Sequence, residues 1–109
     1  MLQASAITRG LKGTIKARAI RDPEFRVGLL KEAVEALLRG ALDEGKILLR
    51  DYVNATMGFE KLAEATHKNP KSLMRMLSAE GNPRAENLLS VIAELQRSEG
   101  IALAVHSRS

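Results

Sequence analysis

The stretch FEKLAEATHKNPKSLMRMLS, residues 59–78, holds two short helical periods separated by a turn. Phe59, Leu62 and Ala63 share one face of the first period, and Leu73, Met76 and Leu77 share one face of the second. Asn69-Pro70 marks the start of the second helix: Asn accepts hydrogen bonds from free first-turn amides, and Pro is preset to a helical φ. The side chains left outside on that helix are Lys71, Ser72, Arg75 and Ser78. Such a face is either a solvated surface or a reading head, and the flanking sequence bears on which.

Upstream, Asp22-Pro23-Glu24 is a second helix start, with a capping carboxylate, a first-turn Pro and an acid at the positive end of the dipole. Phe25, Leu29, Leu30, Ala33, Val34, Leu37, Leu38, Ala41 and Leu42 then form one broad apolar stripe, which predicts a helix ending near Gly45. A further helix is predicted over 46–56, burying Leu48, Leu49, Tyr52 and Val53 and stopping near Gly58. Downstream, Asn82-Pro83 repeats the Asn-Pro start and predicts a last helix over 83–99, with Leu88, Leu89, Ile92 and Leu95 inward and Gly100 as its stop. In the tail, Ile101, Leu103 and Val105 alternate and could line one face of a short extended segment, which pairs with a second copy, pairs with a partner, or folds back. Residues 1–21 contain Arg9, Lys12, Lys16, Arg18 and Arg21 and no acid. Ile7, Leu11, Ile15 and Ala19 give that segment a thin apolar edge, which Gly10 and Gly13 weaken by about 1 kcal/mol each. The expected architecture is all-α, with five or six helices: a basic arm or marginal helix over 1–22, a helix-turn-helix domain over 23–100, and a tail over 101–109.

Composition narrows the function classes. The 109 residues carry a net charge of +4, contain no cysteine, and suffice for one modest core. No apolar run reaches the ~20 residues of a membrane span, and the N-terminal segment lacks the apolar core of a signal peptide, so a cytoplasmic protein with no membrane partner is expected. The two histidines, His67 and His106, have no ligand spacing around them. Glu60 and Glu64 form an ordinary solvated pair, and no Gly-rich phosphate loop is present. Neither catalysis, nor a metal, nor a cofactor is expected.

The placement of charge favours a polyanion. From His67 to Arg84 the chain is +3, with Lys68, Lys71, Arg75 and Arg84 against Glu80, whereas Asp22 to Asp51 is −2. A helix-turn-helix needs a bracing helix with a small residue at the contact, here Ala63, and a short second helix with a polar outer face. Arg75 can donate two hydrogen bonds to guanine; Lys71 and Ser72 suit base edges or backbone, and the first-turn amides suit phosphate. The expected DNA contacts are Lys68, Asn69, Lys71, Ser72, Arg75, Ser78, Asn82 and Arg84. One such face discriminates weakly, at about 1–3 kcal/mol per good base contact, so a homodimer with reading helices about 34 Å apart is expected.

The segment FEKLAEATHKNPKSLMRMLSAEGNPRAENLLSVIAEL resembles the helix-turn-helix of phage-repressor-like (Xre/Cro-type) regulators. More narrowly, LLRGALDEGK, LLRDYVNATMGFEKLAEAT and PKSLMRMLSAEGNPRAENLLSVIAEL resemble the addiction-module antidote proteins, also described as prophage DNA-binding proteins. The likeness covers about residues 25–96, and SLMRMLS…GNP is its most specific part. It implies a five-helix fold, operator binding through Asn69, Lys71, Ser72 and Arg75, and often a toxin partner of the ribosome-dependent RNase type. The pattern departs at His67, where such turns usually have Gly. The expected function is that of an autoregulating antidote. The alternatives are a stand-alone prophage-type regulator and an interaction module whose main role is toxin neutralisation.

Overall fold

The structure, a computed structural model, describes residues 16–108. Residues 16–21 are helical (α1), and Pro23–Leu38 (α2), Leu42–Ala55 (α3), Gly58–Thr66 (α4), Pro70–Met76 (α5) and Ala85–Glu99 (α6) follow. The tail is irregular, and no strand occurs among the described residues. The expectation of an all-α fold with five or six helices therefore holds among the described residues. Of the basic arm expected over 1–22, residues 1–15 lie outside the described residues. No helix among those described is long and apolar enough to cross a membrane.

Asp22 caps α2 as its sequence predicts, accepting a hydrogen bond from the Phe25 amide at 3.1 Å. That amide, with the Arg18 guanidinium beside it, holds the Asp22 carboxyl below the ordinary carboxylate range. A depressed folded-state pKa gives stability that is present above the unfolded value and lost as pH falls through the folded one. Thermal melts of Asp22→Ala should therefore show a lower Tm near neutrality, with the gap to wild type closing below about pH 4.

The long stripe that predicted one helix to Gly45 is broken at Gly40. Gly40 adopts a left-handed φ of 83°, and the Ala41 amide donates to the Ala36 carbonyl at 2.9 Å, closing α2. Ala41 and Leu42 kept the helical period across the break, which hid it. Gly45 is instead inside α3, buried where α3 lies against α2: a Cβ there would come within 2.6 Å of Leu37 Cγ. The start of α6 also differs. Arg84 occupies its N-cap without a side-chain hydrogen bond, and Asn82-Pro83 precede it in irregular chain.

The core is built on α4, which touches α3, α5 and α6. Leu30, Leu49, Val53, Leu62, Leu73, Leu77, Val91 and Leu95 are fully enclosed. Leu89, expected inward, is 62% exposed, and Val91 takes the core position. The tail folds back: Ile101 and Leu103 pack on the core, the Leu103 amide donates to Gln96 Oε1 at 2.7 Å, and Val105 is left exposed.

A buried polar network joins four helices. The Tyr52 hydroxyl of α3 donates a short hydrogen bond to Glu99 of α6. Arg26 of α2 donates from Nε to Glu99 Oε2 at 3.1 Å and from Nη1 to the Ala19 carbonyl of α1 at 2.6 Å. Burial, reinforced by donation to Glu99, pushes the Tyr52 hydroxyl well above its ordinary range. Residues 16–21 are thus anchored to the domain, with Ala19 completely buried and Arg18 stacked 4.7 Å from the centroid of the Phe25 ring.

Candidate nucleic-acid interface

The helical pair α4–α5 is joined by a three-residue turn, His67-Lys68-Asn69. His67 takes a left-handed conformation (φ 56°), and the Lys68 amide donates to the Ala63 carbonyl at 3.0 Å. This is the same closure that Gly40 makes at the end of α2, here with a residue that tolerates the left-handed region better than most non-glycines. Asn69 then caps α5, its Oδ1 accepting from the Lys71 amide at 2.8 Å and the Ser72 amide at 3.4 Å. These two amides are thereby satisfied, so the phosphate role expected for the first turn of α5 passes to side chains.

Leu73 and Leu77 point into the core, and Met76 packs against it in part. With that face committed, Lys71, Ser72 and Arg75 are exposed on the opposite side, and Met74 is partly exposed beside them. Neither Lys71, Arg75 nor Arg84 has a carboxylate within ion-pairing distance among the described residues. Their charge is available to a ligand.

Six of the eight expected contact residues meet around one open groove of about 570 Å³: Lys68, Asn69, Ser72, Arg75, Asn82 and Arg84. Lys71 is exposed outside this groove, and Ser78 turns back, its Oγ donating to the Arg75 carbonyl at 2.7 Å. Lys68 is partly engaged, since its Nζ donates to Asn87 Oδ1 at 3.0 Å. Glu80 is the single acid among the lining residues. The groove is therefore lined by basic side chains over a largely apolar surface that includes Leu73 and Met76.

The loop over 77–84 forms one wall. Gly81 is pressed against the end of α5: a Cβ there would clash with the Arg75 carbonyl oxygen and lie 2.7 Å from that of Met76. Because both obstacles are backbone, Gly81→Ala should destabilise the protein by about 1–3 kcal/mol. Gly45→Ala should cost far less. There the obstacle is the Leu37 side chain, which can rotate, and an interior helical Ala regains up to about 1 kcal/mol over Gly. Urea denaturation midpoints for the two variants test the contrast; Gly81→Ala as stable as wild type would remove the close approach from the account.

Two residues of the site were not anticipated. Asn87 anchors Lys68, and Lys46 of α3, only 2% exposed, donates from Nζ to the Gly81 carbonyl at 2.6 Å and the Ala79 carbonyl at 3.4 Å. The signal for Lys46 was a lysine sharing a helical face with Leu49 and Val53, where an apolar residue is the rule.

The chain matches no known family model, no curated protein and no solved structure. The likeness to phage-repressor-like regulators rests on the residues quoted for it.

Proposed function

We propose that this protein is a sequence-specific DNA-binding regulator that works in the cytoplasm as a homodimer and autoregulates as the antidote of a toxin–antitoxin pair. The observation that carries the DNA reading is α5. Its apolar side is consumed by the core, while Lys71, Ser72 and Arg75 stand exposed, with neither Lys71 nor Arg75 in an ion pair among the described residues. At a rise of about 1.5 Å per residue, a seven-residue helix is about 10 Å long, short enough to sit across a major groove. In this mechanism α5 enters the major groove, Arg75 reads a base edge, Arg84 and Lys68 hold phosphate, and the bound dimer blocks polymerase.

Selection of bound fragments from random duplex DNA tests the proposal. The expected result is an enriched near-palindrome with half-site centres about 10 base pairs, or one helical turn, apart. Absence of any enriched sequence would remove the regulatory role.

A second reading, an interaction module that mainly covers a toxin, is favoured by a different place. Leu38 and Val105 are exposed beside a groove of about 300 Å³ between α2 and residues 102–106. If the neighbouring reading frame encodes a small basic protein, Val105→Ser should weaken its binding while leaving duplex affinity unchanged.

A further inference from the structure

We infer that Lys46, though buried and remote from any DNA contact, is a positioning residue that sets the wall of the reading groove. The inference rests on the DNA reading proposed above. Lys46 lies on α3, and at 2% exposure it cannot touch a duplex. Its ammonium is nonetheless spent on the loop after α5, through the Gly81 carbonyl at 2.6 Å and the Ala79 carbonyl at 3.4 Å. The only carboxylate paired with it among the described residues is Asp43 at 3.6 Å, which is 87% exposed and so screened by water.

A buried ammonium is costly unless hydrogen bonds replace its water, and here loop carbonyls supply them. The dependence runs both ways, since those carbonyls face Lys46 as their donor. The same loop is packed through Gly81 onto the last carbonyls of α5, and it delivers Asn82 and Arg84 to the groove. Arg84 spends no side-chain hydrogen bond on capping α6, so where its guanidinium stands depends on where the loop is held. One cation on α3 therefore couples the scaffold to an arginine that lines the groove together with Arg75.

The test uses Lys46→Met in the full chain, which keeps the apolar stem and deletes the ammonium. Amide hydrogen exchange at Gly81, whose amide donates to the Ser78 carbonyl at 3.1 Å, should accelerate on the order of tenfold or more while α3 and α6 keep their protection, as expected of a local opening. On a duplex of random sequence, the salt dependence of binding should become shallower by about one unit per copy as the Arg84 phosphate contact is lost. Arg84→Ala should then have little further effect in the Lys46→Met background, although it weakens binding in the wild-type background. Unchanged loop exchange overturns the hold of Lys46 on the loop. Equal Arg84→Ala effects in both backgrounds overturn its link to the groove. A wild-type chain that binds no duplex overturns the DNA reading, and the role of Lys46 with it, whatever exchange shows. Should Lys46→Met fail to fold, Lys46→Gln, which is shorter and uncharged, is read by the same measurements.

Discussion

Glu99→Ala should lower folding stability by about 3 kcal/mol, the low end of the cost of breaking a buried ion pair. Glu99 is enclosed, its side chain only 8% exposed, and it receives both the Tyr52 hydroxyl and the Arg26 guanidinium. Removing the carboxylate strands two donors at once. Arg26 is 22% exposed and can recover some hydration, which is why the low end applies. In a domain of this size such a loss corresponds to a fall of roughly 10–20 °C in Tm. The network also predicts an alkaline limb. The folded state holds Tyr52 protonated more tightly than the unfolded chain does, so its contribution is complete below the ordinary tyrosine pKa and is lost as pH rises beyond about 10. Tyr52→Phe should therefore be less stable than wild type at neutral pH, and the gap should narrow in alkali. A Glu99→Ala protein within about 0.5 kcal/mol of wild type, the range of neutral surface substitutions, would show that the network contributes little.

This network and the Lys46 contact share a property that explains why neither was legible in the sequence. Each joins residues far apart in the chain, Arg26 to Glu99 and Lys46 to Gly81, and periodicity reports only which face a residue occupies. What periodicity could report, it reported well for the helical pair. Phe59, Leu62, Ala63, Leu73 and Leu77 are buried as the spacing predicts, and Asn69 caps α5. It failed where two signals competed. The unbroken apolar stripe pointed to a stop near Gly45, although of the two glycines only Gly40 has the left-handed backbone. Asn82-Pro83 has the same chemistry as Asn69-Pro70, yet it starts no helix. Lys46 holds the Gly81 carbonyl, and the irregular chain runs on to Arg84. Leu89 is exposed because the face of α6 that meets the core carries Leu88, Val91, Ile92 and Leu95, and Leu89 lies off that face.

The sharpest consequence for function concerns Arg75. Its side chain is exposed at the centre of the reading face, lines the groove, and lacks an acidic partner among the described residues. A guanidinium so placed can meet the O6 and N7 of guanine together, a contact worth about 1–3 kcal/mol against the wrong base. Two copies on a two-fold site double that, so Arg75→Ala should reduce the preference for the selected site over random duplex by about 30-fold to 10⁴-fold. Lys71→Ala provides the contrast. If Lys71 neutralises one phosphate per copy, its loss should weaken selected and random duplexes alike and make the salt dependence shallower by about one unit per copy. Titrations of both variants against both duplexes over a range of salt separate the two roles. An Arg75→Ala loss of equal size on selected and random DNA would assign Arg75 to the backbone, and the base reading would then fall to Ser72 and Asn69, whose shorter side chains reach less far into the groove.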